Sequence, residues 1–268
     1  MNIQQIHVGE HLRSWRQRRR LSQLDLALEA DISARHLSFL ETGRSRPSRE
    51  MILHLAEQLK IPMRERNVLL VAAGYAPIFP ERSLDDPALE SVRNAIDLII
   101  EGHKPYPAFA LDRHWNVVAS NRALQELYEG VAPELLAAPV NAMRLILHPK
   151  GVAPRIENLA EWRAHLLHRL RQQVDLTADP KLVELQRELM SYPSPPEKAP
   201  QRNDVIVPFR VRTPAGLLSF FTTTMIFGTP LDITLSELML ESFFAADAET
   251  AEIVRRLSSG SDNSLPAA

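Results

Sequence analysis

Residues 22–41 constrain the fold more than any other stretch, because they read as two short amphipathic helices separated by a turn of three residues. Ser22 stands where an N-cap hydroxyl can accept a free backbone N–H, and the helix it opens runs through 23–30. Asp31 and Ile32 make the turn, Ser33 caps again, and 34–41 forms the next helix before Thr42 and Gly43 stop it. Ala27 falls where the helices cross and a large side chain would clash, while Leu26, Ile32, Leu37 and Leu40 form the apolar seam. At 100° per residue, Ser33, Leu37, Leu40 and Glu41 share one side of the second helix and Arg35, Ser38, Phe39 and Thr42 the other.

The flanks extend this pair into an all-α domain of five helices over residues 1–76. Val8, Leu12 and Trp15 recur at helical spacing and lead into the basic run Arg16, Arg18, Arg19 and Arg20. After an extended basic loop, 44–47, Ser48 opens a fourth helix with Ile52, Leu55, Ala56 and Leu59 on one face, and Pro62 starts a fifth that ends at Gly74. The first 80 residues carry a net charge of +4 and the remainder −6, so the basic charge sits in front. The pattern Leu21-Ser22-Gln23-x-x-Leu26-Ala27, then Ile32-Ser33, then Leu37-x-x-Leu40-Glu41-x-Gly43 resembles the helix-turn-helix of the Xre and Cro/C1 repressor family. Asp31 departs from the glycine usual in that turn, and aspartate tolerates left-handed geometry at modest cost.

The resemblance implies a reader of double-stranded DNA whose third helix enters the major groove. Ala34, Arg35, His36, Ser38 and Phe39 are then the candidates for base contacts, Arg35 by a bidentate bond to guanine and Phe39 against a thymine methyl. Phe39 has an alternative in packing on helix four or on the neighbouring domain. Ser22, Gln23, Ser33, Arg44, Arg46 and Ser48 lie at helix starts or on the basic loop, where N–H groups and cations hold phosphates. For each arginine, simple solvation is the competing reading.

Residues 77–88 are rich in proline and charge and read as a linker to a second domain over 89–256, followed by a disordered tail from 257. The pattern predicts a helix over 88–101, a hairpin over 109–121 with its turn at Asp112-Arg113-His114, and a helix over 122–128. Helices at 160–173 and 180–190, a proline-rich loop at 192–200, strands at 205–212 and 217–227, and a helix at 235–244 complete the expectation. The strand, turn, strand, helix order of 109–128 looks like the opening of a PAS-type fold, making this an α+β PAS-like domain. Val140-Asn141, Leu145-x-Leu147-His148-Pro149, Asn158-Leu159-Ala160-x-Trp162, Leu218-Ser219-Phe220-Phe221 and Phe227-Gly228-Thr229-Pro230-Leu231-Asp232 resemble the MmyB-like ligand-binding domain, which in that family follows a helix-turn-helix. That resemblance implies a sensor of an apolar small molecule such as a fatty acid. Phe109, Leu111, Trp115, Val117, Leu145, His148, Phe209, Phe220 and Met225 are the candidates to line its pocket, with plain core as the alternative.

Other functions find little support. The chain has no cysteine, which excludes thiol chemistry, disulfides and cysteine zinc sites, and suits the cytoplasm. No run approaches the roughly 18 apolar residues of a membrane span, and the first ten residues lack the pattern of an export signal. Glu161, His165 and His168 could offer a metal face on one helix, but no second ligand motif accompanies them and Arg163 and Arg169 lie close by, so no metal or other cofactor is expected. Phosphate-binding loops, dinucleotide fingerprints and nucleophile elbows are missing, so the expectation is a regulator and no enzyme. One such motif buries little DNA, which points to a homodimer on two half-sites. The competing reading is a DNA-tethered module whose second domain binds a protein partner.

Overall fold

The computed structural model describes residues 7–195 and 206–261. Contacts divide the chain into two units, the first drawn from 1–81, 173–178 and 231–233 and the second from the remaining described residues.

The first unit holds five helices: α1 (Val8–Arg18), α2 (Gln23–Glu29), α3 (Ala34–Glu41), α4 (Arg49–Gln58) and α5 (Met63–Ala72). The serines expected at helix starts do that work. Ser22, Ser33 and Ser48 each accept the third backbone N–H of the helix that follows, at 3.1, 3.1 and 3.2 Å. Asp31 takes φ +49°, the left-handed geometry the turn requires. Leu12, Leu26, Leu37, Leu40, Ile52, Leu55, Leu59, Leu69 and Leu70 are fully buried and Ala27 nearly so. At Gly9 a Cβ would lie 2.3 Å from the Leu40 carbonyl oxygen, so α1 can approach α3 this closely only with glycine there.

One buried ion pair ties three of these helices together. Arg16 on α1 donates to both carboxylate oxygens of Glu41 at the end of α3, at 2.6 and 2.9 Å. Arg16 also donates to the Leu21 carbonyl at 2.8 Å, and Gln23 on α2 donates to the same carboxylate at 2.8 Å. Arg19 turns inward as well and bonds the carbonyl of Leu59 at 2.8 Å, closing the end of α4. Two of the four arginines in the basic run are thus structural.

The second unit is a five-stranded antiparallel sheet with helices, in the order β2-β1-β5-β4-β3, built from β1 (Ala108–Leu111), β2 (Val117–Ser120), β3 (Phe209–Thr213), β4 (Gly216–Ile226) and β5 (Met239–Ala245). Against one face packs α6 (Glu90–Gly102), its Ile96 and Ile100 meeting Ala108, Ala110, Leu238 and Leu240. The other face carries Phe109, Leu111, Phe209, Phe220 and Phe243. Over it lie α7 (Ala142–Leu147) and α8 (Leu159–Thr177), joined through α9 (Pro180–Ser191) to the rest; α10 (Ile233–Ser236) and α11 (Ala248–Ser261) follow. Phe243 is the hub of this face, with Phe109, Phe220 and Phe209 at ring distances of 5.8, 5.8 and 5.9 Å.

Several expectations need correction. Residues 235–244 are not one helix: after the single turn of α10 the chain becomes β5, the central strand. Its Leu240, Glu241, Ser242 and Phe243 are all buried, so both faces are covered and the alternation that marks a strand is lost. Residues 122–128 form a 3-10 helix rather than an α-helix. Leu145 sits on α7, a helix of six residues that the sequence did not announce. The tail expected to be disordered from 257 is helical to Ser261 as the end of α11. The residues of the expected loop at 196–200, the start of the strand at 205 and the tail from 262 lie outside the described residues.

The Arg16 and Glu41 side chains are 10% and 1% exposed, so removing one charge strands the other. Glu41→Ala is expected to lower stability by about 3 kcal/mol, read by urea unfolding of Trp15 fluorescence, whereas the paired change Arg16→Met with Glu41→Leu recovers most of that loss. Equal loss in both variants would mean that the pair is not what holds the helices.

Candidate DNA-reading face and ligand cavities

α3 presents its outward side as the sequence predicted. Arg35 is exposed and Phe39 half-buried, and the guanidinium groups of Arg35 and Arg44 lie 5.4 and 5.9 Å from the Phe39 ring centre. Phe39 therefore lies close to two arginines of its own unit. Neither arginine forms a side-chain hydrogen bond or an ion pair among the described residues, which leaves their N–H donors available. His36 and Ser38 are half-buried beside them, and the Ser38 carbonyl accepts from the Thr42 hydroxyl at 2.7 Å. Ala34 is half-buried against the core.

The candidates for phosphate contact divide into two kinds. Ser22, Ser33 and Ser48 are exposed caps that accept from their own helices and keep a hydroxyl proton to donate. Arg44, on the loop, approaches the Phe39 ring and forms no side-chain hydrogen bond or ion pair among the described residues. Gln23, in contrast, is tied to Glu41, and Arg46 bonds the Ala73 carbonyl at 2.7 Å with its guanidinium 5.8 Å from the Tyr75 ring centre. Arg46 closes the end of α5, a role the sequence did not disclose because its partners lie 27 and 29 residues away.

In the second unit the pocket candidates gather at three places. Phe109, Leu111 and Trp115 line a crevice with Met143, Trp162, Leu166, Arg169, Glu241 and Phe243. Phe109, Val117, Leu145 and Phe209 line a neighbouring inner space with Leu124, Leu127, Tyr128 and Phe243, where burial pushes the Tyr128 phenol up to about 12 and keeps it neutral. Each of these has a volume of about 20 Å³, room for one water-sized group. Phe220 instead borders an open groove of about 620 Å³ with Pro105, Pro107, Leu127, Leu218, Val254 and Leu257. The groove and the inner space share Leu127 as a wall, and the inner space and the crevice share Phe109, Ala142, Ile146 and Phe243.

Two candidates lie elsewhere. Met225 is 46% exposed near the end of β4 and lines none of the three. His148 accepts from the Lys150 backbone N–H at 3.0 Å and packs edge-on against Tyr192, which makes it part of a turn.

The sequence missed the polar end of the crevice. Arg169 on α8 is bonded to Glu241 on β5, Thr224 donates to the same carboxylate at 2.9 Å, and the guanidinium stands 5.0 Å from the ring centre of Trp115. Trp115 reaches that position from a turn in which it takes φ +67°, held by Asp112 accepting from the backbone N–H of His114 and Asn116 at 2.8 and 2.9 Å. Glu241 escaped notice because its strand reads as helix. His165 does not face a metal partner: its ring stacks 5.2 Å from Trp162, and burial, aided by Arg169, holds its pKa below the usual histidine range.

A family model described as the MmyB-like transcription regulator ligand binding domain matches residues 92–257, and one described as helix-turn-helix matches 12–66. No curated protein matches the chain.

The differing surroundings of Arg44 and Arg46 separate in stability measurements. Arg46→Ala is expected to lower the unfolding free energy by about 1 kcal/mol in urea titration, since it strips a bond from the last turn of α5, while Arg44→Ala stays within about 0.5 kcal/mol of the parent.

Proposed function

We propose that this chain, a DNA-binding transcription regulator belonging to the family that carries the MmyB-like ligand-binding domain, grips a double-stranded DNA operator through α3 and changes that grip when an apolar small molecule enters its second unit. The observation that carries the DNA reading is the exposed pair Arg35 and Arg44 flanking Phe39, cations whose in-plane donors have no ion-pair partner. Arg35 reads a guanine edge from the major groove, with Ala34, His36, Ser38 and Phe39 beside it. Ser22, Ser33, Ser48 and Arg44 hold phosphates and set the register. Gln23 and Arg46 are further phosphate candidates, each also holding the surface through its bond to Glu41 or to the Ala73 carbonyl.

The regulator works as a homodimer on two half-sites in the cytoplasm, because a single α3 reads too few base pairs to select one site in a genome. Its ligand is apolar, a fatty acid being the simplest candidate. The 620 Å³ groove supports this with a volume in the range that small molecules fill, and the inner space and crevice extend its apolar wall. The matched families are those of transcription regulators, which are generally non-enzymatic, and no helix among the described residues is long and apolar enough to cross a membrane. A second reading, that the rear unit docks a protein partner, draws on Met225 and Ile226, which are 46% and 67% exposed at the end of β4.

Operator binding across a salt series, followed by fluorescence anisotropy, separates the roles. Arg35→Ala is expected to cost about 1 to 3 kcal/mol on the operator and to relax one base position, while Arg44→Ala weakens all sequences alike and lowers the salt slope by about one. Identical effects on specificity would remove the groove assignment. A bound apolar ligand that leaves operator affinity unchanged would remove the coupling between the two units' functions, since linkage requires each ligand to alter the affinity for the other.

A further inference from the structure

The sheet of the second unit has one long stretch of edge that no described residue covers. β3 pairs with β4 only over Gly216–Phe220, while β5 stays paired with it as far as Ile226. From Phe221 to Ile226, β4 therefore has a strand on one side alone. The register fixes which backbone groups face the open side. The Ala246 N–H donates to the Ser219 carbonyl at 2.8 Å, so the odd-numbered residues of β4 bond towards β5 and the even-numbered ones face away from it. At Phe220 those groups meet β3, and at Thr222, Thr224 and Ile226 no described residue takes them.

The sheet's other two edges are guarded. β2 is only four residues long, and the chain comes back to it where the Val117 N–H donates to the Val140 carbonyl at 2.8 Å and Asn116 bridges to Asn141. β3 is met by a bridge from Ile156 to Val211, by the Glu157 N–H on the Arg210 carbonyl at 2.9 Å, and it carries the charges of Arg210 and Arg212. The open half of β4 has none of these devices. It reads Phe-Thr-Thr-Thr-Met-Ile, without charge or proline, its register is unbroken, and Met225 and Ile226 are 46% and 67% exposed. An uncharged, β-branched edge of this length is a template for another strand.

We propose that the second unit dimerises by antiparallel pairing of this edge with the same edge of a second copy, Thr224 facing its counterpart on the two-fold axis. This rests on the homodimer reading and adds which strand joins the copies and in what register. An antiparallel strand is its own complement: about this axis Thr222 lies opposite Ile226 of the second copy and Thr223 opposite Met225, so each outward donor meets an acceptor in about six backbone bonds. No charge is buried, and β-branched residues face long apolar ones on both faces. The Thr224 hydroxyl keeps its bond to Glu241 at 2.9 Å. β4 ends at Ile226, so the incoming strand stops opposite Thr222 and does not reach Phe220, where β3 begins to pair. Six residues a side make a small interface, and the dimer is expected to form in the micromolar range.

Sedimentation of the full chain without DNA, from about 1 to 200 µM, tests this. The parent is expected to move from monomer to dimer across that range. Ile226→Lys puts a charge on an exposed edge position, and Thr222→Pro removes an outward N–H without touching the bonds to β5; each is expected to raise the dimer dissociation constant at least about tenfold, with circular dichroism confirming the fold. The chain has no cysteine, so the register is read by oxidation: Thr223→Cys mixed with Met225→Cys is expected to give a disulfide-linked dimer at least about tenfold faster than either variant alone. A dimer indifferent to both edge variants, or one in which the mixture crosslinks no faster than its components, overturns the inference and leaves the homodimer standing. A parent that stays monomeric throughout overturns both and leaves this edge to a strand from another protein.

Discussion

The bond between Arg16 and Glu41 is the constraint on which the DNA-reading face depends. Its two parallel bonds join the end of α1 to the end of α3, and the same carboxylate receives Gln23 from α2. α3 therefore cannot rotate or slide relative to its supporting helices without breaking a charge-assisted network from which water is excluded. Apolar residues of similar volume would stabilise such a site as well or better, so the pair acts chiefly on geometry. It holds the outward side of α3, with Arg35 and Phe39, at one angle to the turn that precedes it.

The arginine run in α1 shows how a charge pattern can mislead about function. Arg16 and Arg19 point inward to Glu41 and to the end of α4, and Arg46, itself exposed, bonds the carbonyl at the end of α5. Three cations of the basic pattern satisfy a carboxylate and helix-end carbonyls. Arg35 and Arg44 differ from these: both approach the Phe39 ring, and neither forms an ion pair among the described residues. A ring near two cations restricts the freedom of both side chains, which lowers the ordering cost of any contact they make.

In the second unit the corresponding role falls to β5, the middle strand of five. Its alternate residues Leu240 and Ser242 face α6, while Glu241 and Phe243 face α8, so one strand carries both the hub of the aromatic cluster and the acid of the buried ion pair. The apolar wall and its polar end are thereby held in fixed register. Phe243 lines both the crevice and the inner space, and Trp162 and Arg169 reach the crevice from positions about two turns apart on α8.

The helix-turn-helix was legible in the sequence because every signal in it is local. Serine caps act within three residues, Ala27 and the leucine seam act across one turn, and Asp31 needs only its own backbone to adopt left-handed geometry. The family resemblances of both halves were carried by the same kind of short-range pattern, and the matching families agree with them. Long-range partners were not legible. A strand buried on both faces loses the alternation that would distinguish it from a helix, and so β5, with Glu241 and Phe243, was misread. Whether an arginine reaches a phosphate or a helix end, and whether a buried tryptophan finds an acceptor, depends on residues tens of positions away. The sequence by itself determined where the reading helix begins, turns and stops, because capping and periodicity act over a few residues; only the tertiary structure decided which charges stay free and which apolar residues leave a space between them, because both follow from packing between distant segments.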